Sequence, residues 1–259
     1  MLFTDQIHHN ITFNSYPKRI ISLVPSQSEL LWDLGMKDEL VGITKFCVHP
    51  QEMFKSITKI GGTKTLHIDK IRALNPDLII GNKEENEQAQ ILELQKEFPV
   101  WMSDIYDLKT SLEMINRIGL LVNQPARTTE ISTAIQSSFN HLQGLQKSVL
   151  YLIWKDPYMA AGRSTFIGDM LLKMGLMNIL EDEQARYPEL SLEAIKNLNP
   201  ELIYLSSEPY PFKEKHIKDL QRSLPQSNIQ LVDGELFSWY GSRLLKTVDY
   251  FNELIKNSH

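Results

Sequence analysis

The chain has 259 residues, of which 42% are hydrophobic and 23% charged, and this composition is typical of a globular protein with a sizeable core. The formal net charge is −5 and no block of basic residues occurs, so the composition does not favour nucleic-acid binding. The single cysteine, Cys47, excludes an internal disulfide, and no apolar run approaches the roughly 20 residues that a membrane-spanning helix needs.

The first predicted elements are a strand and a helix near the N-terminus. Residues 19–24 (RIISLV) form an apolar run that predicts a strand. A helix should follow through Glu29 to Leu34 and end at Gly35, with Ser26 or Ser28 as its N-cap. A nucleophilic role for these two serines is the alternative that we weigh against the cap.

An internal repeat organises the chain. The segments 69–84 (DKIRALNPDLIIGNKE) and 193–208 (EAIKNLNPELIYLSSE) match at an offset of 124 residues, with 7 of 16 positions identical. In each copy an acidic residue opens a short helix, and Pro76 or Pro200 stops it because proline disfavours helical geometry in the preceding residue. A continuous apolar strand follows each proline. The repeat predicts two α/β lobes.

The stretch between the two copies is predicted to be helical. One helix covers residues 108–122, Pro125 lies in the break that follows, and a second helix runs from about residue 126 to 145. Ile131, Ile135, Phe139 and Leu142 form an apolar stripe at spacings of four, four and three. We therefore expect one long rigid helix, rather than a flexible linker, to join the lobes.

The second lobe should begin as the first does, with a strand over 148–154 and a helix over 166–174 that ends at Gly175. Strand–helix–strand order with short links favours parallel sheets flanked by helices. The predicted domains are an N-terminal α/β lobe (1–107), joining helices (108–146) and a C-terminal α/β lobe (147–259).

In order and spacing these motifs resemble the class III, or helical-backbone, solute-binding proteins, receptors for cobalamin, haem and ferric siderophores that serve ABC-type importers. The resemblance runs from Pro17 to about Leu254. It rests on PKRIISLVPSQSELLWDLGM, the two LNP segments, AAGRSTFIGDMLLKMGLMNIL and FSWYGSRL. SLVPSQSELL and ARYPELSLEAI are closest to the cobalamin-receptor branch.

The resemblance implies a ligand cleft between the lobes, lined by loops that follow the carboxyl ends of sheet strands. Those loops are rich in aromatic residues, which suit a large flat ligand. The predicted ligand-binding residues are Ser26, Phe46, Thr63, Lys64, Trp154, Tyr158, Arg163, Tyr187, Trp239, Tyr240 and Arg243.

Several of these residues have a second interpretation. Phe46 and Trp154 follow strands and could belong to the core. Trp239 and Tyr240 are read as an exposed pair beside glycine, and Arg243 either contacts the ligand or pairs with an acidic residue. Thr63 is a departure, because the cobalamin branch has an aromatic residue there, as this chain has at Tyr187.

The resemblance also implies that an acidic residue on each lobe docks onto a permease dimer. Asp69 and Glu193, the matching first residues of the repeat, are the candidates. The alternative is that each only stabilises a helix start, a contribution of roughly 0.3 to 1 kcal/mol.

Rival chemistries have weaker support. Cys47 and His49 form at most half of a metal site, since zinc sites need three or four ligands. No nucleophile elbow, P-loop or dinucleotide-binding motif occurs, so we expect no enzyme. A chelatase-like or cofactor-modifying enzyme, with His49 or His67 in the cleft, remains the alternative.

Among ligands, the many aromatic residues and the few plausible arginines (Arg163, Arg186, Arg243) favour a corrinoid over haem or a ferric siderophore. We expect no resident cofactor, no nucleic-acid partner and no membrane span, and we expect a monomer. The resemblance implies the periplasm, but the N-terminal residues do not read as a secretory signal. A cytoplasmic corrinoid or haem carrier is therefore a further alternative.

Overall fold

The computed structural model describes residues 1–180 and 185–257, and these fall into two compact units. The first unit consists of Met1–Ile105, Lys109–Ile135 and Trp239–Leu245. The remaining described residues, from Tyr106–Leu108, from Gln136–Ser238 and from Lys246 onward, form the second unit. The predicted joining helix thus contributes its first part to one unit and its last part to the other.

The elements of the first half of the chain are β1 (Leu2–Thr4), β2 (Asn10–Thr12), β3 (Ile20–Ser22), α1 (Pro25–Asp33), β4 (Leu40–Ile43), α2 (Gln51–Ser56), β5 (Thr58–Lys59), α3 (Ile68–Leu74), β6 (Leu78–Asn82), α4 (Gln88–Leu94), β7 (Val100–Ser103), α5 (Leu108–Leu121) and α6 (Pro125–Asn140). In this half of the chain, strands and helices alternate from β3 to α5.

The first unit contains a parallel five-stranded sheet in the order β5-β4-β3-β6-β7. Its two central strands are buried along their whole length, as their continuous apolar sequences predict. After β3 the chain adds β4 and β5 on one side of the sheet, and it then crosses to the other side to add β6 and β7. In open α/β sheets of this kind, ligands bind beyond the carboxyl ends of the strands.

The elements of the second half are β8 (Ser148–Trp154), β9 (Tyr158–Ala160), α7 (Phe166–Lys173), β10 (Met177–Asn178), β11 (Glu189–Leu190), α8 (Leu192–Leu198), β12 (Leu202–Ser206), α9 (Glu214–Ser223), β13 (Asn228–Val232), α10 (Gly234–Ser238) and α11 (Leu244–Asn257). In the sheet of the second unit, β8, β10, β12 and β13 pair in parallel, and β9 and β11 add an antiparallel edge. The predicted α/β fold with parallel sheets is confirmed.

The two copies of the repeat have the same local structure. Helix α3 and strand β6 correspond to α8 and β12 at the offset of 124 residues, residue for residue. Asn75 and Asn199 cap the two helices in the left-handed conformation, with φ of 43° and 47°. This conformation turns the chain sharply before the proline and directs it into the buried strand.

Two local predictions are wrong. Ser26 and Ser28 do not cap α1, because the helix begins at Pro25 and both serines lie inside it. Proline at the first helical position is already fixed at a helical φ and has no N–H to satisfy. Helix α6 ends at Asn140 rather than near residue 145, so Leu142 falls outside the helix.

Candidate functional site

The loop after β4 exposes an aromatic ring of the first unit. Thr44 and Cys47 turn inward, with 3.2 Å between Thr44 Oγ1 and Cys47 Sγ, and both residues are fully buried. Phe46 lies between them in the chain and is 49% exposed. The side chain is therefore not part of the core, which was the alternative interpretation of its sequence position. The ammonium group of Lys45 lies 5.0 Å from the centre of the Phe46 ring.

A pocket of about 630 Å³ adjoins this ring at the carboxyl ends of β4 and β5. It contains three of the predicted ligand residues, Phe46, Thr63 and Lys64. The other lining residues are mostly small or cationic: Lys45, Lys59, Gly61, Gly62, Thr65, His67 and Lys70. No aspartate or glutamate is among the lining residues.

The floor of this pocket, residues 61–67, is held by hydrogen bonds. Gly61 has a φ of 109°, and a bridge joins it to Leu66. From outside the loop, Asn86 donates to the carbonyl of Thr63 at 3.1 Å. Gln90 donates to the carbonyl of Lys64 at 2.9 Å and accepts from the N–H of Leu66 at 2.7 Å. The loop therefore offers a fixed surface to a ligand.

Trp239, Tyr240 and Arg243 belong to the first unit and are buried, with 5–8% of each residue exposed. The expectation that Trp239 and Tyr240 form an exposed pair is therefore wrong. Trp239 packs between His49, with ring centres 5.7 Å apart, and the guanidinium of Arg243 at 4.5 Å. These contacts cover the indole, which removes the cost of exposing it.

The acidic partner of Arg243 is Glu29 on α1. The guanidinium donates to both carboxylate oxygens, from Nε to Oε2 at 2.8 Å and from Nη2 to Oε1 at 3.1 Å.

Burial raises the pKa of the Tyr240 phenol well above its usual value. The nearby Glu85 also raises it, while Ser26 and Ser103 lower it. Tyr240 is thus a neutral phenol beside Ser26, which is buried as well.

In the second unit, Trp154 ends β8 and is 40% exposed, so it is not a core residue either. Its ring lies 5.5 Å from that of Tyr210, which packs in turn on Phe212 and His216. Tyr158 on β9 is half-buried, and burial raises the pKa of its phenol. This edge of the second unit therefore also presents aromatic faces to solvent.

Arg163 and Tyr187 lie on neighbouring loops of the second unit. Arg163 is exposed, and its Nε donates to the carbonyl of Asn178 at 2.9 Å. Tyr187 is half-buried. The residues on either side of it accept backbone hydrogen bonds from the strand region of β9, at 2.8 Å from Gly162 and 3.1 Å from Ala160. These bonds fix the backbone from which Tyr187 projects.

The two acidic candidates lie in the first turn of α3 and α8. The Asp69 side chain is fully exposed and lies 3.4 Å from Arg72, while the Glu193 side chain is 78% exposed and lies 3.9 Å from Lys196. Equivalent positions in the two units thus present a carboxylate to solvent.

The side chains of Cys47 and His49, the proposed half of a metal site, contact different neighbours. The Cys47 thiol is buried 3.1 Å from Ser28 Oγ, and burial raises its pKa, which disfavours the thiolate that binds metals. The His49 ring packs on Trp239. Within the described ranges, no three His, Cys, Asp or Glu side chains cluster closely enough to hold a metal ion.

Of the four lysines that line the pocket, only Lys64 was predicted from the sequence. Lys45, Lys59 and Lys70 are far apart in the sequence and belong to no motif. The parallel register of β4 and β5, which sets Ile43 beside Lys59, brings their loops together. Neither β4 nor β5 was delimited from the sequence, so the approach of these lysines had no sequence signal. Tyr210 was also missed, because it follows an irregular loop after β12.

Comparison with known proteins places these features in context. A family model described as periplasmic binding protein matches residues 20–227. An uncharacterized ABC transporter substrate-binding lipoprotein, YvrC of Bacillus subtilis, is 24% identical over 97% of this chain and 84% of its own length.

Two solved structures share the fold. The periplasmic vitamin B12 binding protein BtuF of Vibrio cholerae has a TM-score of 0.75 and 19% identity, over 93% of this chain and 98% of its own. A periplasmic heme binding protein from Pseudomonas aeruginosa has a TM-score of 0.75 and 21% identity, over 93% and 94%. In the part of the chain that the structure describes, no helix is both long and apolar enough to cross a membrane.

Proposed function

The chain belongs to the periplasmic binding protein family, and from this premise we propose that it is the substrate-binding protein of an ABC-type importer. We propose that its ligand is a metal chelate, namely a corrinoid, haem or a ferric siderophore. The Bacillus relative, named as an ABC transporter substrate-binding protein over nearly the whole chain, supports the importer role. The names of the vitamin B12-binding and heme-binding proteins of the same fold support the ligand class.

The observation that carries the proposal is the open pocket beside Phe46 at the carboxyl ends of β4 and β5. Its volume of about 630 Å³ is in the range of small-molecule sites. The exposed ring offers a flat apolar face, and exposing it to water in the absence of a ligand is unfavourable. The rigid loop below it limits the ordering cost of binding.

The predicted ligand residues divide into two groups. We propose that the accessible ones contact the ligand: Phe46, Thr63, Lys64, Trp154, Tyr158, Arg163 and Tyr187. Ser26, Trp239, Tyr240 and Arg243 are buried, so we propose that they support the loops of the first unit from below. Family members are binding proteins, and we propose that this chain likewise binds its ligand without transforming it.

Titration calorimetry and visible spectra with cyanocobalamin, haemin and ferric chelates test the proposal. We expect saturable one-to-one binding of one ligand with a Kd of about 1 μM or tighter, corresponding to roughly −8 kcal/mol. Phe46→Ala should weaken binding at least tenfold. Tyr16→Ala, which removes an aromatic ring that is 38% exposed but lies outside the pocket, should not. Absence of binding to every chelate would refute the ligand class.

We further propose that Asp69 and Glu193 dock the protein onto the importer. Their equivalent, exposed positions in the two units support this role. Asp69→Lys and Glu193→Lys should abolish co-purification with the permease while leaving ligand affinity unchanged. Asp219→Lys is a matched control, because Asp219 is also an exposed helical acid, 3.3 Å from the arginine three residues on. Equal loss in the control would point to net charge rather than docking.

A further inference from the structure

The pocket beside Phe46 is cationic in a protein that is acidic overall. Four lysines, Lys45, Lys59, Lys64 and Lys70, line it together with His67, and no carboxylate does. The whole chain carries 32 acidic and 27 basic residues, so the charge of this lining is opposite to the net charge of the protein. A concentration of one sign in a concave site raises the local concentration of ligands of the opposite sign.

The charge of these lysines is not neutralised by the described part of the protein. Several exposed lysines elsewhere form ion pairs, such as Lys18 with Glu39 and Lys83 with Asp104. By contrast, no described carboxylate forms an ion pair with Lys45, Lys64 or Lys70. The Lys64 ammonium donates instead to the backbone carbonyl of Glu84 at 2.6 Å, which leaves its positive charge uncompensated.

Lys59 adds a fixed positive charge at the edge of the pocket. Its ammonium group donates to the carbonyls of Phe54 and Ile57 and lies 4.5 Å from the centre of the Phe54 ring. Burial lowers the pKa of Lys59, while the nearby Cys47 raises it, and no described carboxylate forms an ion pair with this ammonium group. An anion bound in the pocket would supply a compensating negative charge.

The lysines adjoin a flat apolar face. Lys45 lies over one part of the Phe46 ring, and the ring packs close to Gly62, where an added Cβ would come within 3.1 Å of it. A ligand that satisfies this surface combines an apolar or conjugated body with acidic groups at its edge. A neutral ligand with an amide periphery would leave the lysine charges unmatched.

We propose that the ligand is an anionic metal chelate with two or more acidic groups, and that Lys45, Lys64 and Lys70 bind those groups. This inference rests on the proposed function and narrows its substrate class. The shared chemistry is the carboxylate, which occurs both on the edge of a tetrapyrrole and in ferric hydroxycarboxylate complexes. The sequence analysis favoured a corrinoid because few arginines were available to bind an anionic ligand. The four lysines of the pocket were not part of that argument, and they favour an anionic ligand instead.

Four probes test the inference: haemin, haemin dimethyl ester, ferric citrate and cyanocobalamin. Calorimetry and visible spectra are recorded at low and high salt. Haemin or ferric citrate should bind, and which of them does so identifies the source of the carboxylates. If haemin is the ligand, esterification of its two carboxylates should weaken binding at least tenfold, and added salt should weaken haemin more than its ester.

Lys45→Gln combined with Lys64→Gln should weaken the anionic chelate at least tenfold, because each removes a charge-assisted contact. The control is Lys96→Gln combined with Lys109→Gln, which changes the net charge equally at exposed sites outside the pocket. Both double variants should keep the wild-type thermal unfolding midpoint.

The outcomes separate this inference from the proposed function. Tight binding of cyanocobalamin, unaffected by the lysine substitutions, would overturn the anionic ligand but leave the chelate receptor intact. Equal affinity for haemin and its ester would also overturn it. Failure of both haemin and ferric citrate to bind would overturn the inference, whereas the proposed function is refuted only if cyanocobalamin and the wider set of ferric chelates fail as well.

Discussion

Arg243 and Glu29 form a buried ion pair with two hydrogen bonds, although 214 residues separate them in the chain. Only 8% and 5% of the two side chains are exposed. The pair fixes the returning segment Trp239–Leu245 against α1 in the first unit. Gly241 in this segment has a φ of 101°, and a Cβ there would come within 3.2 Å of the Ser26 carbonyl. The close approach of the segment therefore depends on both features.

Removal of one partner of this pair should strongly destabilise the first unit. Arg243→Met or Glu29→Leu alone removes one half of a buried, doubly hydrogen-bonded ion pair, which costs about 3–5 kcal/mol. The double variant should recover much of the loss, because neither charge remains. Urea unfolding of the four proteins measures the coupling. Arg222→Met breaks an exposed pair with Asp219 and should cost less than about 1 kcal/mol. A double variant that loses as much unfolding free energy as the two single variants together would contradict the coupling.

Gly61→Ala should disrupt the loop of residues 61–67 that forms the floor of the pocket beside Phe46. A Cβ at this position would come within 2.4 Å of the Thr65 carbonyl, at a φ of 109° that L-residues rarely adopt. We expect a loss of roughly 2 kcal/mol or more in unfolding free energy, together with weaker ligand binding. Gly144→Ala is the control, because its nearest atom would be 3.5 Å away. Unchanged stability and affinity in the Gly61 variant would show that the loop tolerates rearrangement.

The left-handed caps of the two repeat helices predict a matched pair of effects. Asn75→Ala and Asn199→Ala should each lower the unfolding free energy by about 1 kcal/mol, because a Cβ without a compensating polar group is disfavoured at φ near 45°. Asn75→Gly and Asn199→Gly should be close to neutral. Thermal and urea unfolding measure the differences. An alanine variant as stable as the glycine variant would contradict the backbone argument.

His216 should make stability depend on pH below neutrality. Burial lowers the pKa of its imidazole from the ordinary value of 6.5, and its Nδ1 accepts the Lys213 N–H at 2.9 Å. As the pH falls through 6.5, the unfolded state binds a proton that the folded state excludes, so the folded protein loses stability until its own lowered pKa is reached. Above that window the contribution is complete.

His216→Gln should therefore show a smaller loss of stability than the wild type between pH 7.5 and 5.5, by up to about 1 kcal/mol. Urea midpoints at the two pH values measure the difference. His141→Gln, which removes an exposed imidazole, is the control. Identical pH dependence in the wild type and the His216 variant would exclude this group as the cause.

The sequence predicted the repeated helices and strands well, because local spacing and proline positions determine them. The β8 strand, Ser148–Trp154, has the predicted bounds. Local patterns could not reveal that Trp239 is buried, because its covering partners, His49 and Arg243, are set by the tertiary fold. The pocket beside Phe46 likewise depends on the register of β4 and β5. This register brings together lysines that belong to no common sequence motif.

The return of Trp239–Leu245 to the first unit has a consequence for protein synthesis. A ribosome produces Met1–Ile105 long before Trp239–Leu245, so the segment that supplies the Arg243 partner of Glu29 emerges only after residues 1–238 have been synthesised. Until then the nascent first unit lacks the Arg243 guanidinium that pairs with Glu29 and the Trp239 side chain that packs on His49. Folding of the first unit therefore cannot be completed until Trp239–Leu245 has been synthesised, after the intervening part of the second unit.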